Sequence, residues 1–412
     1  MARQDSGRVL ALLARRFDDL DLADEAVQDA LERAAARWPR DGIPDNPGGW
    51  LMTVARNRAI DLLRRRSARE RAASALADLP PDDDPTPSDD MPPFDLDAAP
   101  DERLRLLLLC CHPALGQDAQ VALTLRLVAG VTTEEIASAY LVPTPTIAAR
   151  ITRAKKKIRV AGIPMSLPDE LEPRLGAVLR IVYLMFNEGY LSRSGTQGPT
   201  RVDLCEEAIR LSDVVVSLRP DDPEVLALRA LMGFTHARRD ARFDGDHLVT
   251  LDEQDRSRWH RDEISAASRL IADAMGHNRP GPFQFQALIA LHHTHPADAD
   301  AIDWPMIVKL YDQYAAFDPS PIVRLNRAAA VGQADGPDAG LAALRSVDGL
   351  DDYHLYWATL ADFSARSGRT AEAIEAYDRA LQLTDNPAER AHLIERRRVV
   401  SDGGELGTVD PA

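Results

Sequence analysis

The chain has 412 residues, with 49 Lys and Arg against 65 Asp and Glu, a formal net charge of −16 and 45% apolar residues of which few are aromatic. At roughly 100–200 residues per domain this means a multidomain chain, and its wealth of Ala, Leu, Arg, Asp and Glu with few β-branched runs favours helix over strand. Cys110, Cys111 and Cys205 form no spaced framework, and no stretch reaches the ~18 apolar residues of a membrane span, so a secreted disulfide scaffold and a membrane protein are excluded and a cytoplasmic location is expected.

The acidic average hides a segregated charge. Residues 1–72 carry a net +2, 73–102 a net −10, 103–163 a net +6 and 164–412 a net −14. Two cationic regions in an acidic chain are what a nucleic-acid surface looks like in sequence.

Residues 8–37 carry apolar side chains at spacings of three and four and read as two helices, the second ended by Trp38-Pro39. Residues 41–49, rich in Gly and Pro, read as a loop. A third helix follows from about Trp50 to Arg71, with Trp50, Leu51, Val54, Ile60 and Leu63 inward and a basic face outward. Such a face, with Trp50 and Asn57 at one end, suits single-stranded or melted DNA: cations hold the backbone and aromatics receive unstacked bases. A charged, solvated surface helix is the plainer alternative. Residues 73–99 contain eight Asp, six Pro and no Lys or Arg, the composition of a flexible linker.

Helical pattern resumes at Glu102. Within it, Thr132 or Thr133 can cap a helix over Glu134 to Tyr140, and the turn Leu141-Val142-Pro143-Thr144 leads to a second helix reaching about Arg159. The apolar residues of that helix are Ile147, Ala148, Ile151, Ala154 and Ile158, and the small and polar residues at its start, Thr146, Ala148, Ala149 and Arg150, would face base edges. Arg150, Arg153, Lys155, Lys156, Lys157 and Arg159 follow, with no acid from 145 to 160. Two short helices about a tight turn, the second basic, can place the second in a major groove.

Together these pieces resemble the extracytoplasmic-function sigma factors of the sigma-70 family, over about residues 1–162. The run Asp24-Glu25-Ala26-Val27-Gln28-Asp29-Ala30-Leu31 resembles the family's polymerase-binding helix. Trp50-Leu51, Val54 to Asp61 and Leu63 to Arg66 resemble its −10 element helix. Ala122 to Arg126, Glu135-Ile136-Ala137 and Val142 to Lys155 resemble its −35 element domain. The resemblance implies that Asp24, Gln28 and Asp29 contact polymerase. It gives Trp50, Asn57, Arg58, Arg64, Arg65 and Arg66 to the −10 strand, and Thr146, Ala149, Arg150, Arg153, Lys155 and Lys156 to the −35 duplex. The implied partners are the RNA polymerase core, through its beta-prime clamp and beta flap, and promoter DNA. Pro145 and Ala148-Ala149 depart from the family pattern and bear on base specificity.

Most relatives end after the second domain, whereas this chain continues. The runs Leu108 to Leu115 and Tyr183 to Tyr190, with a long helical tail, resemble a subgroup with a tetratricopeptide-like extension. In a 34-residue frame starting at His354, Trp357, Leu360, Ala361, Ala373, Tyr377 and Ala380 fall where such hairpins need small residues and aromatics. Weaker echoes fall at Ala208, Ser212, Val215 and Pro220, and around Leu325 to Leu344. A plain helical bundle is the alternative.

The expected architecture is therefore all-α. Residues 1–72 form a region 2-like domain, 73–101 a linker, 102–163 a helix-turn-helix domain, 164–402 the helical extension and 403–412 a tail. The extension is expected to regulate activity through a protein partner. No cofactor is expected. Cys110-Cys111-His112 cannot all face one ion from a helix, and His292, His293 and His295 sit at a helix end where His is common, so neither is read as a metal site. No catalytic motif is present, and an enzyme is not supported. A polymerase-independent helix-turn-helix regulator with a repeat domain as sensor remains open; it leaves the Trp50–Arg71 helix without a role.

Overall fold

A computed structural model describes residues 2–76, 99–139, 142–163, 172–190, 202–244, 247–296 and 298–404. Among these residues the regular structure is helical, apart from a short antiparallel ribbon pairing Phe243–Asp244 with His247–Leu248. It divides into two compact units, Met1–Met185 and Phe186–Ala412. Most of the 73–101 linker, Tyr140 and Leu141 of the helix-turn-helix and most of the tail lie outside the described residues.

The first unit opens with α1 (Ala2–Phe17), α2 (Leu20–Asp41) and α3 (Pro47–Leu76). Val9, Leu10, Leu13, Ala23, Val27 and Ala30 form its buried seam. Asp19 caps α2, accepting from the Leu22 amide at 3.0 Å. Pro39 does not end α2: it sits in the last turn, and Gly42, at φ 85°, closes the helix by donating to the Trp38 carbonyl. Nor does α3 wait for Trp50. Asn46 accepts from the Gly49 amide at 2.8 Å and Pro47 takes the first helical position, where its missing N–H costs nothing.

The unit continues with α4 (Ala99–Cys110), α5 (Gln117–Leu123), a π-helical turn (Thr124–Val128), α6 (Thr133–Ala139), α7 (Thr144–Val160) and the first part of α8 (Glu172–Tyr190). α1 packs on α4 and on the π-helical turn. The approach is close: a Cβ at Gly7 would lie 2.2 Å from the Val128 carbonyl oxygen, so only glycine fits. Before α6, Thr132 and Glu135 form a reciprocal capping box. The Thr132 amide donates to the Glu135 carboxylate at 2.8 Å, and the Glu135 amide donates to the Thr132 hydroxyl at 3.2 Å.

The second unit is built from α9 (Val202–Leu218), α10 (Pro223–His236), α11 (Arg261–Gly276), α12 (Pro282–Thr294), α13 (Trp304–Tyr314), α14 (Pro321–Ala334), α15 (Pro337–Leu344), α16 (His354–Arg366), α17 (Thr370–Leu383) and α18 (Pro387–Ser401). Sequence-adjacent helices pack as pairs, α14 on α15 and α16 on α17 among them. Leu360, Ala361, Ala373, Tyr377 and Ala380 are buried, and Trp357 is half-buried. Phe363 lies in a gap left by two glycines: a Cβ at Gly332 would sit 2.1 Å from its ring, and one at Gly340 2.7 Å. Beneath it, buried Asp362 receives Arg396 at 2.5 Å and Arg366 at 3.4 Å. Burial raises the Asp362 carboxyl above its usual range, against the pull of both arginines.

Candidate nucleic-acid and polymerase interface

α7 is amphipathic in the way the sequence requires. Ile147, Ile151, Ala154 and Ile158 are buried, while Thr146, Ala149, Arg153 and Lys156 are exposed on the other side. Ala148, expected at the outward start of the helix, is exposed. Arg150 is half-buried and pairs with Asp118 at 3.2 Å, and Arg153 donates from Nε to the Ala149 carbonyl.

Lys155 points elsewhere. Its side chain is 10% exposed and its ammonium bonds the Asp24 carboxylate, with Asp21 at 3.7 Å. Arg159, one turn on, meets Asp21 at 2.5 Å, and Arg126 stands 3.9 Å from Asp24. Lys157 donates to the Ala114 carbonyl, beyond the end of α4. The cations of α7 thus split between a solvent face, with Arg153 and Lys156, and a face where Lys155 and Arg159 are held by α2.

The acidic face of α2 is correspondingly engaged. Asp24 is buried at 8% exposure, and Gln28 reaches it at 3.5 Å. Asp29 pairs with Arg33 at 2.7 Å and with Arg58 at 3.5 Å, and Arg58 also reaches Glu25 at 3.4 Å. Arg58 therefore ties α3 to α2 and is largely covered, whereas Asn57, Arg64, Arg65 and Arg66 lie on the exposed side of α3. Arg66 meets Asp19 at 3.1 Å. Trp50 is half-buried, edge-on to Trp38 with centroids 5.6 Å apart. The innermost positions of α3 are Leu51, Met52, Ala55 and Ala59, with Val54, Ile60 and Leu63 at its margin. Asp21 and Asp118 were not singled out in the sequence: acids are common on helix surfaces, and their partners lie far along the chain.

The Cys110-Cys111-His112 run is a packing and capping element. Both thiols are buried, and burial pushes Cys111 up to about 12. Gln120 donates to the Cys111 and His112 carbonyls, and His112 Nδ1 accepts the Ala114 amide. His293 is buried edge-on to Trp304, and burial lowers it to about 3, so it is neutral. No described helix is long and apolar enough to cross a membrane.

Residues 1–69 match Sigma-70 region 2 and residues 105–158 match Sigma-70, region 4. The chain belongs to the sigma-70 family. It is a sigma factor acting in transcription initiation, with the two-domain layout of the extracytoplasmic-function type and a C-terminal extension. Membership implies core RNA polymerase and promoter DNA as partners. Residues 174–275 of this sigma factor match a family of unknown function (DUF6596). An uncharacterized protein of Rhizobium meliloti (strain 1021) is 42% identical over 395 residues, covering 94% of this chain and 92% of that one. The shared length includes the extension. No solved structure matches.

Proposed function

We propose that this sigma factor reads a −35 duplex with the outward face of α7 and a melted −10 strand with α3, and that its extension regulates the activity. The observation that carries the reading is the exposure of Thr146, Ala149, Arg153 and Lys156 along one side of α7, behind the capped α6. Small and polar residues at the N-terminal end of such a helix approach base edges, and later cations meet phosphates. On α3, exposed Asn57 and Arg64 to Arg66 supply the polar and cationic groups that hold an unpaired strand. Asp24, Gln28 and Asp29 form the polymerase-facing set.

A regulatory role for the extension is supported by its larger part, from Phe186 on, forming a compact unit made of packed helical pairs. Stacked hairpins of this kind commonly present a surface to a protein partner.

Transcription by core RNA polymerase on a genomic fragment library, with and without the protein, tests the reading. Promoter-specific transcripts that depend on the protein are expected, and their absence both from the full chain and from a chain ended after residue 190 would refute it. Arg150→Ala is expected to weaken use of the selected promoters by about 1–3 kcal/mol where Arg150 reads a base, and by less where it meets phosphate. Ending the chain after residue 190 is expected to change transcript yield strongly; equal yield would remove the regulatory role of the extension.

A further inference from the structure

Arg150 stands one turn after Thr146 on α7, at the edge of the face proposed to meet the −35 duplex. Among the described residues, Arg153 and Lys156 of that face find no carboxylate partner, whereas the Arg150 guanidinium meets Asp118 of α5 at 3.2 Å. Its stem is confined as well. A notch of about 140 Å³ beside it is lined by Asp118, Val121, Ile136, Ile147 and Leu184 among others. Val121, Ile136 and Ile147 are buried, so this wall is part of the domain's own core.

Leu184 comes from α8, beyond the residues that match region 4. Near the start of α8 the Arg174 guanidinium donates to the Leu108 carbonyl at 3.3 Å, and Val178, Ile181, Val182 and Met185 are buried along the helix. As far as Met185, α8 belongs to the first compact unit. The stretch that matches the family of unknown function thus begins by placing a side chain beside the recognition helix.

An arginine that reads guanine offers two donors to the O6 and N7 acceptors of one base. An unbraced arginine gives up rotamer freedom to do so, and it can turn instead to a nearby phosphate. A carboxylate behind the guanidinium counters both effects. It occupies part of the donor fork, fixes the plane of the rest and repels a phosphate that approaches the same group.

We infer that Asp118 and Leu184 are positioning residues that aim Arg150 at a guanine edge in the −35 duplex, so that it reads a base and not the backbone. The inference rests on the proposed role of α7. Asp118 is largely exposed, and a pair so placed adds little to stability because water screens it. Its effect is on direction, and it strengthens when DNA displaces the surrounding water.

The test lets full-length protein with core polymerase select from a promoter library randomised across the −35 element, and reads the retained sequences. Arg150→Ala is expected to lose a guanine preference at one base pair, which marks the position. Asp118→Asn is expected to reduce the preference at that position by about tenfold and to leave the others intact. Its affinity for a duplex of arbitrary sequence should not fall, since a negative charge has been removed. Asp118→Glu should restore part of the preference, and Arg150→Ala added to Asp118→Asn should cost nothing more there. Leu184→Ala is expected to weaken the same preference severalfold.

A merely structural role for Asp118 or Leu184 predicts an even loss at all positions. That result, or a preference unchanged by Arg150→Ala or by Asp118→Asn, would overturn the inference, and an unchanged Leu184→Ala would remove α8 from it. A wild-type chain that selects no sequence at all would instead refute the proposed function, and this inference with it.

Discussion

The two units of this sigma factor bury a carboxylate between cations to a similar depth and differ in what lies beside it. In the front unit, Asp24, Lys155 and Arg126 are nearly covered, but their neighbours Asp21 and Arg159 remain half exposed around a wet cleft. In the extension, Asp362 with Arg396 and Arg366 is enclosed beside packed Phe363 and Tyr377. Only the outer Asp21–Arg159 pair borders water, where screening makes an ion pair easy to break. A pair sealed inside a core is not screened, and removing one member leaves the other charged and unsatisfied. The first arrangement leaves an ionic margin open to solvent, and the second closes a scaffold.

The comparison makes graded predictions. The largest effect belongs to the scaffold: Phe363→Ala empties the space between Gly332 and Gly340 and is expected to cost about 3–5 kcal/mol, lowering the thermal midpoint of the extension in calorimetry. A front unit that melts with it would break the contrast, since the two would then not be independent cores. Next comes acid. Burial lowers His293 to about 3 from the ordinary 6.5 of a histidine, so below pH 6.5 the unfolded chain binds a proton that the folded chain refuses. Stability is therefore full above 6.5 and falls as pH drops towards 3, by about 1.4 kcal/mol per pH unit for this one group. His293→Gln should flatten that slope in urea unfolding monitored by the extension's tryptophans. The smallest effect tests the front unit: Thr132→Ala removes half of the capping box and is expected to cost about 1 kcal/mol. Duplex affinity should then fall only as far as α6 frays, which a salt titration of binding would separate from loss of phosphate contacts.

The helix-turn-helix was legible because its signals are local. The Thr132–Glu135 box is contained in four residues, and the spacing of Ile147, Ile151, Ala154 and Ile158 marks one helical face. Trp50 is a different case. Its helix was placed three residues late, because Pro47-Gly48-Gly49 reads as a break unless Asn46 is seen as the cap. The hairpin from His354 was equally readable, since small residues and Tyr377 fall at the crossing positions. The inward turn of Lys155 could not be read: its partner is remote, and a basic residue on a basic helix gives no sign of which way it leans. The pairing of Arg58 with Glu25 and Asp29 was hidden for the same reason. The short ribbon at Phe243 to Leu248 carries too few residues to make a period.

The wide turn at Thr124–Val128 sets the phase of everything after it. A π-type turn accommodates one residue more than an α turn, and each residue of an α-helix advances the chain by about 100°. Shortening this segment by one residue would rotate Arg126 away from α2 and shift the Val128 carbonyl off Gly7. The junction between the region 2 and region 4 domains is thus keyed to a single-residue count, and an insertion or deletion there acts on it like a change of gear teeth, with no change of composition.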